Sequence, residues 1–285
     1  MTTISKASPT LIEKIDIIPS AAILAAVITW VLRQAPNSGD GLPVISLWVI
    51  LAVFIIIAIA ITHSKSMSKK AKQKSLSFLA HFGAWLPISF IFWQFYYWEY
   101  LNGRWAHEAT FFAGKMAITL LVLSLAVTPF MTMFGWKELN PLRKPLGLYA
   151  FMLVCIHLLI FTYDYGYFEG AWAVGLAFNE AVTKQYALVG LVAFLLLIPL
   201  AVTSNNYSIK QLKKNWKKLH QLVYIIAILA SVHFIWVWAA KRAFTEPLIY
   251  AAIIIILLLV RLKPIKQRII RMRQEFSKRR RARTA

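Results

Sequence analysis

Long, predominantly apolar runs alternate with polar, lysine-rich segments along this chain. A helix needs about 20 largely apolar residues to cross a bilayer. Eight stretches qualify, at 16–33, 44–62, 77–98, 114–134, 146–165, 186–203, 220–240 and 247–263. The first is shorter and carries Pro19, and the third is interrupted by Pro87 and Gln94. The pattern predicts an all-α polytopic membrane helix bundle of about eight transmembrane helices.

Composition agrees with that reading. Of 285 residues, 59% are hydrophobic and 15% charged, whereas a soluble domain is nearer half apolar and a quarter charged. The formal charge of +21 would suggest nucleic acid in a soluble protein. Here it sorts by loop. Lys65, Lys69, Lys70, Lys72 and Lys74 follow the second run; Lys137, Arg143 and Lys144 follow the fourth; Lys210, Lys213, Lys214, Lys217 and Lys218 follow the sixth. With the N-terminal and C-terminal residues, 26 of the 32 Lys and Arg fall on one side of an eight-helix topology and 6 on the other. By the positive-inside rule both termini are expected in the cytoplasm, in a plasma (inner) membrane. The basic clusters then read as orientation signals and attraction to membrane lipid, with no nucleic-acid partner.

Two parts of the chain look alike. Leu125-Ala126-Val127-Thr128 ends the fourth run and Leu200-Ala201-Val202-Thr203 ends the sixth. Each is followed by a basic loop and a returning run that carries a histidine, His157 in one and His233 in the other, 76 residues apart. Such a parallel repeat has its axis along the membrane normal and sets the two histidines at similar depth. Counting from the inner ends of their helices places them about 16 and about 20 Å into the bilayer. Ionisable groups in hydrocarbon are expensive and point to function. Two neutral imidazoles at matched depth on adjacent helices suit the axial positions of a haem iron. The plain alternative is that each imidazole only hydrogen-bonds between helices.

His220 opens the seventh run at the cytoplasmic edge. Thirteen residues of ideal helix leave it about 140° from the face of His233, so the helix is irregular there or the two histidines serve different neighbours. His81, near the inner end of the third run, is the expected partner if His220 holds a second, inner haem. His63 is the other candidate. His107, beside Glu108, reads as a solvated loop residue. The single cysteine, Cys155, excludes a disulfide framework and a multi-thiolate metal site. No nucleotide-binding glycine motif is present, and the tail after Leu262 is too short for a flavin domain. Electrons crossing this bundle would have to come from another protein, a bound flavin such as FMN, or a quinone.

Several segments resemble the MsrQ (YedZ) family: Leu125-Ala-Val-Thr-Pro129, Leu142-Arg-Lys-Pro-Leu-Gly-Leu148, His157-Leu158, Trp216-Lys-Lys-Leu-His220-Gln-Leu-Val-Tyr224, His233-Phe-Ile-Trp236 and Glu246-Pro-Leu-Ile-Tyr250. His81 with Pro87 resembles that family's opening helix. The resemblance covers roughly 76–262 and implies a six-helix ferric reductase-like core that binds haem b, with His157, His220 and His233 as the haem histidines. It departs at Phe111, three residues before Gly114, where members carry a histidine; His107 lies one helical turn earlier.

The expected organisation is two additional N-terminal helices and a Lys-rich loop over 1–75, a haem-binding transmembrane domain over 76–263 and a basic cytoplasmic tail over 264–285. The function implied is electron transfer across the membrane. The donor would be quinol or a cytosolic flavoprotein. The acceptor would be an extracytoplasmic redox partner, the methionine sulfoxide reductase catalytic subunit in the family resembled. One or two haems are expected, with His157, His233 and His220 as iron ligands and His81 as a further cofactor-binding residue. The alternatives are a ferric or other metal reductase component with another acceptor, and a cofactor-free transporter or structural membrane protein.

Overall fold

A computed structural model describes residues 44–98, 105–166, 174–239 and 242–284, with Ala22, and every regular element among them is helical. The first expected span, at 16–33, otherwise lies outside these residues, as do Arg33, Arg104 and Lys241. The chain divides into two compact units, Met1–Phe90 and Ile91–Ala285.

The described part of the first unit holds α1 (Val44–His63) and most of α2 (Lys69–Trp98). Phe54 of α1 stacks on Phe82 of α2 with ring centroids 5.6 Å apart. Lys72 donates to the Thr62 carbonyl at 2.8 Å. A lysine at this position satisfies one of the carbonyls left open in a helix's last turn. Part of the Lys-rich segment is therefore the first turn of a helix that continues into the apolar run.

The second unit contains α3 (Trp105–Phe134), a 3-10 turn (Lys137–Leu142), α4 (Arg143–Gly166), α5 (Val174–Thr183), α6 (Gln185–Val202), α7 (Asn206–Leu212), α8 (Lys214–Leu219), α9 (Leu222–Ala239), α10 (Thr245–Leu259) and α11 (Lys263–Thr284). α3 packs against α4, and α6 against α9. These are the two repeated helix pairs read from the sequence. Hydroxyls inside the helices bond back to their own backbone, Thr110 to the Ala106 carbonyl and Ser231 to the Ala227 carbonyl. This hides their polarity where no water is available.

Among the described residues, five helical stretches are long and apolar enough to cross a membrane: Lys69–Trp93, Ala106–Phe134, Lys137–Asp164, Gln185–Val202 and Lys214–Ala239. α10 and α11 satisfy the same criterion only together, and they are bent by 77° at the break between them. α1 contributes a shorter apolar stretch, Ala52–His63. The chain is an all-α, multi-pass membrane protein.

Two elements are not announced by hydropathy. α5 is a ten-residue helix in the segment after α4, with Ala177 and Ala181 buried. The basic tail is itself helical, as α11, and Arg273 ties it to the end of α3 through the Met131 and Thr132 carbonyls at 3.2 and 2.8 Å.

Candidate functional site

α3 and α4 bring Thr110 and His157 together. His157 Nδ1 lies 2.8 Å from the Thr110 carbonyl oxygen. In the second pair, α6 and α9, His233 Nδ1 lies 2.7 Å from the Tyr186 carbonyl oxygen. A carbonyl can only accept, so each Nδ1 carries the proton and each Nε2 keeps its lone pair. The backbone thus fixes both the tautomer and the orientation of each ring, as partners of metal-binding histidines do.

Glycine makes both contacts possible. Gly114 stands four residues after Thr110, and Gly190 four residues after Tyr186. A helical Cβ tilts toward the N-terminus and would cover the turn where the imidazole enters. A Cβ on Gly114 would lie 3.2 Å from His157 Cε1 and Nδ1; one on Gly190 would lie 2.8 Å from the same atoms of His233. Carbonyl, glycine and histidine recur together at a 76-residue offset: Thr110 and Tyr186, Gly114 and Gly190, His157 and His233. Of these three points, the glycine and the histidine repeat in residue type, while the carbonyls do not.

The two rings face a common space. Their centroids are 6.4 Å apart with planes 80° to each other. Both line a cavity of about 910 Å³ whose walls include Gly114, Phe161, Gly190, Phe194, Phe234 and Trp236. Most of this lining is apolar, with a few polar side chains among it, as in cofactor pockets generally. Among the described residues no group of three or more His, Cys, Asp or Glu could hold a metal ion. His157 and His233 are the facing pair of nitrogen ligands here.

His107 is not in a loop. It lies in the first turn of α3, lines the cavity, and approaches Asp164 at 3.5 Å. Its ring meets Phe111 edge-on at 4.9 Å.

Lys115, which sequence reasoning counted only as an outer charge, also lines the cavity. Its ammonium pairs with Glu246 of α10 at 2.7 Å. One turn further along, the Thr119 and Tyr250 hydroxyls meet at 2.7 Å. Two contacts with the same sequence separation mean that α3 and α10 run parallel. Removing one partner of a buried ion pair strands the other charge, and partial exposure here sets the loss at about 3 kcal/mol, the low end of that range. Lys115→Met and Glu246→Gln should each lower the thermal unfolding midpoint in detergent, and the double variant should recover most of it. A double variant as unstable as the two losses combined would remove the pair from the structural account.

His220 sits apart from the cavity lining, in a turn between α8 and α9. The helix is irregular there, as the 140° offset from His233 requires if both are to serve the bundle. The Thr203 hydroxyl donates to the Pro199 carbonyl at 2.6 Å. Its oxygen is therefore left to accept from His220 Nε2 at 3.1 Å. Trp216 stacks on the His220 ring at 4.0 Å and donates to the Thr203 carbonyl at 2.9 Å. His81 lies on α2 within the first unit, partly buried.

Residues 113–231 match the family model described as "Ferric reductase like transmembrane component". The chain is 37% identical over 196 residues to the protein-methionine-sulfoxide reductase heme-binding subunit MsrQ of Xanthomonas campestris, covering 65% of this chain and 87% of that protein. The Xanthomonas axonopodis MsrQ is 38% identical over 186 residues, covering 63% of this chain and 82% of the relative. The Herminiimonas arsenicoxydans MsrQ is 40% identical over 149 residues, 52% of this chain and 66% of the relative, so that match falls just short of two thirds of its length. No solved structure matches. With 37% identity across most of a full-length relative, the chain belongs to the MsrQ family.

Proposed function

We propose that this chain is a haem b electron-transfer subunit that binds one haem between His157 and His233. It passes electrons from quinol or a cytosolic flavoprotein to an extracytoplasmic acceptor, the catalytic subunit of a methionine sulfoxide reductase. The observation that carries the reading is the pair of carbonyl-tethered imidazoles facing one apolar cavity. With a metal–imidazole bond of about 2 Å and about 1 Å from nitrogen to ring centroid, two imidazoles that held one ion between them would stand about 6 Å apart. The observed separation is 6.4 Å. A pair of protein ligands suits a metal whose remaining coordination positions a macrocycle would supply.

The bound haem supplies a one-electron couple whose potential depends on its ligands, burial and surrounding hydrogen bonds. The chain's residues set those conditions. Thr110 and Tyr186 hold the Nδ1 protons, which keeps both imidazoles neutral and strong as donors. Gly114 and Gly190 let the rings approach the helices. Phe161, Phe194 and Phe234 keep water away from the site. The Lys115–Glu246 pair places balanced charge beside it.

Purified protein should show a reduced b-type spectrum, the low-spin signature of two axial imidazoles, and one haem per chain. Colourless protein of full integrity would overturn the reading. Two haems per chain would overturn the single-haem stoichiometry and require a second site. Reduced protein should reoxidise on addition of a methionine sulfoxide reductase catalytic subunit; oxidation by a ferric chelate alone would favour the metal-reductase alternative.

A further inference from the structure

We propose that α11 is a membrane-surface helix that binds the phosphate groups of anionic lipids on the face of the bilayer where α10 ends. It carries ten Lys and Arg in 22 residues and one acidic residue, Glu275. That density of charge cannot enter hydrocarbon. Yet Ile265, Ile269, Met272 and Phe276 fall within about 60° of one another on the helix, forming a single stripe. Ile265, Met272 and Phe276 are exposed, Phe276 at 73%. A helix with an apolar stripe and a dense basic face is the pattern that lies in the plane of a membrane interface.

The bundle fixes the helix at a suitable angle. The break from α10 to α11 turns the chain by 77°. Arg261, in that break, donates to the Leu125 carbonyl at 2.5 Å and to the Tyr224 hydroxyl at 3.1 Å. Arg273, three turns on, grips the last turn of α3. Two arginines thus pin the helix along one edge. Arg273 lies about 70° around the helix from the centre of the apolar stripe, and Met272 and Phe276 stay exposed beside it. The docked edge borders the stripe at Ile269 and leaves Met272 and Phe276 exposed.

Charge complementarity selects the occupant. Seven of the ten cations are arginines, at 268, 271, 273, 279, 280, 281 and 283. Guanidinium binds phosphate oxygens in bidentate fashion, which ammonium cannot. Each cation near an anionic leaflet strengthens attachment about fivefold. An acidic soluble protein would satisfy the charges and leave the stripe in water, whereas an anionic bilayer surface satisfies both.

The test uses the full chain with Cys155→Ser and a single fluorophore-labelled cysteine, reconstituted in vesicles. Met272→Cys and Phe276→Cys report the stripe; Gln274→Cys and Lys278→Cys report the opposite face. In vesicles of phosphatidylcholine with phosphatidylglycerol, acrylamide quenching at 272 and 276 should be about threefold weaker than at 274 and 278. The difference should shrink in phosphatidylcholine alone and on adding salt. Equal quenching at all four positions in both vesicle types would overturn the proposal and leave a soluble acidic partner as the occupant. Protection of the stripe that is the same with and without phosphatidylglycerol would also overturn it, since headgroup recognition would then play no part.

Discussion

His157→Ala and His233→Ala should each purify as folded protein that has lost its haem spectrum. These are the two cavity-lining imidazoles that a backbone carbonyl tethers and that face each other, so no neighbour stands in the place of either. Substituting a hydrogen-bond partner behind a metal-binding histidine already costs about 10- to 100-fold in affinity, and removing the ligand itself exceeds that range. Haem content by pyridine haemochrome should therefore fall by more than about 100-fold in affinity-limited conditions. Added imidazole should restore part of the spectrum, because the cavity left by the ring is the size of the ligand. His220→Ala should retain haem at one per chain, since Thr203 and Trp216 occupy its polar edge and its face. Full haem in either the 157 or the 233 variant would cancel that residue's assignment.

Most of what could be read from the sequence was one-dimensional. The five long spans follow from hydropathy because the solvent allows nothing but helix where backbone groups lack water. The pairing of α3 with α4 and of α6 with α9 follows from the repeat, since the same unit packs the same way twice. Helical phase leaves two readings for His220 and His233, an irregular helix or different neighbours; the structure has both, a turn at His220–Gln221 and separate partners in Thr203 and Tyr186.

What was missed needed a third dimension. Thr110 and Tyr186 act through backbone carbonyls, which carry no signature in residue identity. Gly114 and Gly190 have no polar atoms, and their role appears only when the facing ring is in place. The tail looked like a charge run because its polar residues outnumber its apolar ones. Its stripe of Ile265, Ile269, Met272 and Phe276 is visible only in helical projection, and its attachment depends on Arg273 meeting a helix more than 130 residues away. α5 escaped notice for a similar reason, since two buried alanines on a ten-residue helix leave little trace in hydropathy.

Gly190→Ala should impair haem retention more than Gly114→Ala, and both should leave the haem-free fold at least as stable as before. In the middle of a helix, alanine is favoured over glycine by about 1 kcal/mol, so the substitution by itself strengthens α6 or α3. The opposing cost arises at the imidazole. At 2.8 Å a Cβ on residue 190 cannot coexist with the His233 ring where it stands; at 3.2 Å a Cβ on residue 114 asks His157 for a few tenths of an ångström. His233 can swing away when nothing is bound, giving up its bond to the Tyr186 carbonyl. A ring held at both ends, by the carbonyl and by a metal, has no such freedom. Crowding of this kind costs about 1–3 kcal/mol, and the whole of it falls on the haem-bound state. The expected result for Gly190→Ala is about a 5- to 150-fold loss of haem affinity with an unchanged or higher unfolding midpoint for the haem-free protein. Gly114→Ala should lose less than about fivefold. A Gly190→Ala protein that is unstable without haem would mean that the glycine serves helix packing instead. One that binds haem normally would mean that His233 reaches its ligand position by a different route from the one seen here.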